Sequence, residues 1–217
     1  EVTVESYMEC VAAGDCDKPH PLGRFCNLKF EGREKHPINC VDLHMASAYC
    51  ASKGKRLPTE REWEYAASGG DKQQSFSWGN EHPNKENSCY EHLFGSCEVA
   101  QYPAGAFGLY DVSGNVWEWT EAYFEEGHHR SGCCPPSNPS GSAAPAEDPL
   151  QQGGRLRVLK GGSFLCAPNY CARYRPSARI PQAEDSSAAN VGFRCVRSPV
   201  DSVREVSPSQ EGDRRGR

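Results

Sequence analysis

Apolar positions recur at helical spacing in three places, each opened by a residue able to cap. Residues 3 to 13 carry Tyr7, Met8 and Val11 behind Thr3 and end at Gly14, which predicts a short helix. Asp42 caps a second helix running to Lys53, with Ala46, Tyr49 and Cys50 on one face and Gly54 as its stop, so Cys50 faces the core. Thr59-Glu60-Arg61-Glu62, just after Pro58, is a capping box. It predicts a third helix over residues 60 to 68, closed by Gly69-Gly70, with Trp63 and Tyr65 as its buried bulk.

Elsewhere the helical period disappears. Residues 15 to 39 read as loop, as does most of 71 to 107 apart from a small extended piece at Phe76-Ser77-Trp78-Gly79. Arg157-Val158-Leu159-Lys160 reads as a strand leading into Gly161-Gly162, where the backbone is expected to approach something closely. Residues 190 to 196 alternate and are expected to return beside that strand. Residues 125 to 154 read as an exposed insertion that holds Cys133-Cys134, and 198 to 217 as a disordered tail.

Composition agrees with so little regular structure. The 217 residues include 21 Gly and 16 Pro, the hydrophobic fraction is 37%, and the mean hydropathy is −0.73. These values predict an α+β, loop-rich fold with few helices and short strands, ordered largely by cross-links, ions or buried aromatics. The net charge is −5 and the basic residues are scattered, which argues against nucleic acid. No run of 18 apolar residues occurs, so no membrane span is expected, and the chain is expected to act as a monomer. It opens on Glu1, so a start methionine, leader or upstream domain is expected to precede it.

Twelve cysteines are dense for this length and point to an oxidising compartment, periplasmic or extracellular, with the cytoplasm as the rival. No Cys-x2-Cys pair occurs, so disulfides are a better reading than structural zinc. Cys10, Cys16, Cys26 and Cys40 should form two bridges with three possible connectivities, and Cys89 and Cys97 are close enough to clip one loop. For Cys133 and Cys134 no pairing can be chosen. Cys166 and Cys171, with four residues between them, suggest a soft two-thiolate site suited to Cu(I), although their spacing alone favours a plain disulfide.

Four segments carry a resemblance. Lys55-Arg56-Leu57-Pro58-Thr59-Glu60-Arg61-Glu62-Trp63-Glu64-Tyr65, the stretch Gly108-Leu109-Tyr110-Asp111-Val112-Ser113-Gly114-Asn115-Val116-Trp117-Glu118-Trp119, Gly161-Gly162-Ser163, and Asn190-Val191-Gly192-Phe193-Arg194 stand in the order and register of the formylglycine-generating enzyme (sulfatase-modifying factor) family. The resemblance covers residues 1 to 197 and implies a C-type-lectin-like fold. It implies an enzyme that uses dioxygen to convert a cysteine in a Cys-x-Pro-x-Arg segment of an unfolded or nascent sulfatase into formylglycine. Cys166 and Cys171 match the copper ligands, with the substrate thiolate as the third. Ser163 and Trp117 match the oxygen pocket, and Arg179 and Asn190 the substrate groove. Asp111, Gly114, Val116 and Glu118 match the ligands of a Ca2+ ion. Asn87 and Ser88 match only part of a second calcium site, whose acidic residue is missing. Cys50 and Cys195 match a family disulfide, while Ala67 and Pro176 replace another. Ala167 and Pro168 depart from the more polar stretch expected after the first active cysteine.

Plainer readings stand beside these. Trp63, Trp78 and Trp119 read as core, Asp111 and Glu118 as loop-stabilising acceptors, His128-His129 as solvated surface, and Glu5, Glu60 and Glu64 as solvated or capping charges. Against the oxidase stands a non-catalytic, lectin-like binding module on the same fold. A third reading, an oxidase of small thiols with non-haem iron, lacks the histidine cluster it needs.

Overall fold

In the computed structural model, residues 1–20, 23–125, 155–167 and 173–198 are described. The insertion beyond residue 125, with His128, His129, Cys133 and Cys134, lies outside them, as do Pro168, Cys171 and the tail from residue 199.

All three capped helices form. Helix α1 (Val4–Ala12) starts where the Thr3 side chain accepts from the Ser6 amide, and it buries Val4, Tyr7 and Cys10. In α2 (Leu43–Ser52) the Asp42 carboxylate accepts from the Met45 amide at 2.8 Å, and Ala46, Tyr49 and Cys50 face inward. In α3 (Glu60–Ala67) both halves of the capping box are made. The expectation for Tyr65 is corrected: it is 54% exposed and stacks on Phe107, itself exposed, at 6.1 Å. Trp63 and Ala67, four residues apart, take the inward stripe, and two residues on from Trp63 the helix has turned roughly 200°.

A four-stranded sheet, ordered β3-β2-β1-β4, supports the site. Its members are β1 (Trp117–Tyr123), β2 (Leu156–Lys160), β3 (Ile180–Ala183) and β4 (Val191–Gly192). The C-terminal segment does not return beside 157–160 as expected. Its strand β4 pairs in parallel with β1, which lies between it and β2. Strand β1 carries no alternation because its first four residues are all buried, as befits a central strand covered on both faces. Residues 76–79 form a tight turn rather than an extended piece: the Phe76 and Gly79 amides each donate to the other's carbonyl, at 2.8 and 3.1 Å. The turn stacks the Trp78 ring on the buried Phe76 ring at 5.3 Å.

Tyr7 and Tyr49 stack at 5.5 Å and both meet the edge of Phe193, so α1, α2 and the C-terminal segment share one aromatic core. Disulfides fasten it. Cys10–Cys16 and Cys26–Cys40 settle which of the three connectivities holds, Cys89–Cys97 clips its loop, and Cys50–Cys195 spans 145 residues. Among the described residues no helix is long and apolar enough to cross a membrane.

Candidate functional site

The segment after β2 turns sharply at Gly161 and Gly162, whose φ angles of 99° and 75° lie in the left-handed region. A Cβ on Gly162 would sit 2.8 Å from the Tyr174 Cα, and one on Gly161 3.1 Å from both Trp63 and the Val112 carbonyl, so these are the close approaches the glycines permit. Amides lock the turn in place: Gly114 donates to Gly161 O at 2.8 Å and Phe164 to Asn115 O at 2.7 Å.

Ser163, buried by that turn, accepts from the Asn190 side-chain amide at 3.3 Å and from the Leu165 amide at 3.4 Å. Both bonds are long and both use its lone pairs, which leaves the hydroxyl proton for a further partner. The Asn190 carbonyl accepts from the Trp117 amide at 2.8 Å, so three predicted residues meet where β1 and the C-terminal segment pair. Cys166 follows, its amide donating to Ser163 O at 2.9 Å; it is 2% exposed and belongs to the same core as Trp117, Tyr174 and Phe76. A buried thiol is a soft ligand, which suits a soft metal ion over a hard one, and its predicted partner Cys171 lies outside the described residues. Arg179 stands apart from this group: its Nε lies 3.2 Å from Glu60 and its guanidinium 4.8 Å over the Phe124 ring.

A second buried cluster surrounds Glu118. Its carboxylate accepts from Trp63 Nε1 and from Arg194 Nε and Nη2, each at 2.6 Å. Asp111 accepts from the Ala100 amide at 2.6 Å, and burial pushes its carboxyl up from the ordinary range while the nearby Glu118 charge adds to the effect. Glu1 brings a third carboxylate, bonded to the Asn115 side chain and the Val116 amide and likewise raised by burial. Three carboxylates face Arg194 and the Glu1 ammonium, so acids still outnumber bases there and a hard divalent cation would relieve them, a donor set that fits Ca2+. Glu118 would bring to it a carboxylate already shared with Trp63 and Arg194.

The partial second calcium set is used locally. Asn87 accepts from the Asn84 amide at 2.8 Å, and the Ser88 hydroxyl donates to Ser113 O at 2.6 Å. Cys89, His92 and Cys97 lie close enough to suggest a metal, but the two sulfurs are bonded to each other and the His92 Nδ1 engages Gly95 O at 2.7 Å.

Lys160 is a buried charge that the sequence does not single out. It is fully buried at the end of β2, with its Nζ 2.9 Å from Glu64 and 3.6 Å from Glu60. Glu60 and Glu64 are therefore its counter-ions, although Glu64 keeps 41% of its side-chain exposure and so remains partly solvated as expected. The available signal was a lysine closing an apolar strand directly before two glycines, with unassigned acids on a neighbouring helix.

The sequence profile described as "Sulfatase-modifying factor enzyme 1-like domain" matches residues 1–199. The chain is 40% identical over 201 residues to a formylglycine-generating enzyme of Mycobacterium tuberculosis, covering 83% of this chain and 63% of that protein. It is 38% identical over 191 residues to the formylglycine-generating enzyme of Mus musculus, covering 82% and 48%. A Bos taurus relative, 35% identical over 180 residues and covering 76% and 52%, is named inactive Cα-formylglycine-generating enzyme 2. The chain thus spans about half to three-fifths of the length of these relatives. Among solved structures, Treponema denticola variable protein 1 superposes with a TM-score of 0.67 at 23% identity, covering 89% of this chain and 80% of that one. PvdO from Pseudomonas aeruginosa gives 0.64 at 20%, covering 86% and 73%. These two likenesses establish the C-type-lectin-like fold alone.

Proposed function

The chain belongs to the sulfatase-modifying factor family, and from that premise we propose that it converts a cysteine of a sulfatase Cys-x-Pro-x-Arg segment into formylglycine, consuming dioxygen. The observation that carries this reading is the seating of Cys166 directly behind the Ser163, Asn190 and Trp117 group, in a family whose relatives at 38 to 40% identity are named for that activity.

The overall change sets what the residues must do. The substrate C–S bond breaks and sulfur leaves as sulfide, one oxygen atom becomes the aldehyde, and the other becomes water. Two of the four electrons that reduce dioxygen come from the substrate carbon, and two come from an external thiol pair. Cu(I) held by Cys166 and Cys171 supplies one-electron reactivity toward dioxygen when bound. Asn190 holds the Ser163 hydroxyl by its long bond, so the Ser163 proton is poised to donate to an oxygen atom that gains charge. Trp117, buried at the start of β1, excludes water from that side. Asn190, bonded to Ser163, lines the approach of the substrate in this reading, whereas Arg179 is engaged by Glu60 and Phe124 away from that group. Asp111, Gly114, Val116 and Glu118 would hold Ca2+, which would stiffen the loop leading into β1. The four disulfides among the described residues suit an oxidising compartment outside the cytosol.

The test is an oxygen-free Cu(I) titration of the reduced protein, then oxygen uptake and sulfide release with a Cys-x-Pro-x-Arg peptide. One tightly held copper per chain and sulfide release that vanishes in Cys166→Ser are expected. The relative named inactive gives the rival reading, a binding module, its footing. Absence of both copper and sulfide, with peptide binding intact in Cys166→Ser, would establish that rival.

A further inference from the structure

The two most exposed large apolar side chains among the described residues are neighbours, Leu93 at 79% and Phe94 at 77%. They stand on the loop clipped by Cys89–Cys97. The loop is held from within: the His92 Nδ1 engages Gly95 O at 2.7 Å, and the His92 and Phe94 rings meet edge to face at 6.1 Å. It is held from outside as well, since Arg33 Nη2 donates to Phe94 O at 3.2 Å while the same guanidinium covers the Phe30 ring at 5.0 Å. A loop fixed by a disulfide, a side-chain bond and an arginine cannot fold its apolar pair inward, so the exposure is built in.

Its position gives the exposure meaning. The Glu91 amide donates to Cys166 O at 3.0 Å and the His92 amide to Phe164 O at 2.9 Å, so the loop runs along the backbone that carries Cys166. Leu165, half exposed, belongs to that same segment. Leu93, Phe94 and Leu165 are thus exposed apolar side chains on two segments bonded to each other at Cys166 and Phe164, and exposed apolar surface of this kind marks a contact site.

We propose that Leu93 and Phe94 form a docking ledge for apolar residues flanking the target cysteine of an extended polypeptide substrate. This rests on the reading of the Cys166 site as one that acts on a peptidyl cysteine. An extended chain offers its apolar side chains to such a surface, and the ledge binds them without reading a defined sequence.

The test compares wild type with Leu93→Ser/Phe94→Ser on two substrates: a peptide of the Cys-x-Pro-x-Arg motif alone, and the same motif inside a roughly 20-residue peptide with leucine and phenylalanine on both flanks. For the long peptide KM should rise about tenfold with kcat unchanged, while the short peptide keeps its KM. Equal changes for both peptides, or none, overturn the ledge. Fluorescence anisotropy of the labelled long peptide is measured in parallel, with its target cysteine replaced by serine. Weakened binding in the variant upholds the ledge even if no turnover is found, in which event the catalytic reading alone fails. Unaltered binding, together with loss of a wild-type dimer on sedimentation, would reassign the patch to self-association. Circular dichroism and the melting temperature confirm folding, and Phe94→Ser alone, expected to give a smaller KM increase, serves should the double variant be unstable.

Discussion

Two buried polar clusters depend on adjacent residues of one strand, and they are built to opposite standards. Glu118 accepts three bonds of 2.6 Å from Trp63 and Arg194, whereas Ser163, near Trp117, accepts two at 3.3 and 3.4 Å. Successive residues on a strand face opposite sides, so Trp117 and Glu118 give β1 one face for each cluster. Short, charged, saturated bonds fix a structure, while long neutral ones with a spare proton leave room for a ligand. The first cluster is framework, and the second is where an incoming group finds an unmet partner.

The largest expected effect breaks the framework side. Glu118→Gln removes the carboxylate bonded directly to the buried Arg194 guanidinium, leaving only the unbonded Glu1 and Asp111 near it, and should cost about 4 kcal/mol in urea unfolding. A loss under about 1 kcal/mol would erase the contrast, because Glu118 would then be no more committed than Ser163. Next comes the bridge beside Arg194. Replacing both Cys50 and Cys195 by serine releases a 145-residue separation and should cost about 3 kcal/mol, with KM for a short substrate peptide unchanged. A shifted KM would mean that the two clusters are mechanically coupled.

Much of this was legible in the chain, for identifiable reasons. Caps at Thr3, Asp42 and Thr59 are local chemistry, so all three helices were found with their boundaries. The Cys50–Cys195 and Cys89–Cys97 pairs were legible as well, the first through the family resemblance and the second through its short separation. Strand β1 is not legible because burial on both faces removes alternation, and Tyr65 is exposed because its angle on the helix, not its bulk, decides which way it faces. Lys160 is not legible for a related reason: a fully buried ammonium depends on Glu60 and Glu64, some 100 residues earlier in the chain, and no local pattern connects them.

A smaller effect sharpens the functional side. Ser163→Ala removes the spare proton and both acceptor bonds, but those bonds are long, so the melting temperature should stay within about 1 °C. Turnover, read as sulfide release per mole of protein, should fall about 30-fold, or roughly 2 kcal/mol of transition-state stabilisation. A destabilised protein with normal kcat/KM would reverse the assignment and make Ser163 framework.

The smallest effect comes from a third carboxylate–guanidinium pair that serves as a control. Arg56 and Glu62 meet at 2.6 Å, like Arg194 and Glu118, yet their side chains keep 28% and 26% of their exposure. The Arg56 hydrogen bonds hold the Glu62 carboxyl at about 2, below its ordinary 4.5. A depressed carboxyl contributes its stability above the unfolded value and loses it as pH falls through the folded one, so this contribution should fade between about pH 4.5 and about pH 2. Solvent screening limits it to about 1 kcal/mol. Arg56→Met should therefore cost about 1 kcal/mol at pH 7 and close to nothing at pH 2, as read from urea unfolding at each pH. If its cost at neutral pH equalled that of Glu118→Gln, bond length alone would set the strength of these pairs, and burial around Glu118 would no longer explain why that cluster serves as framework.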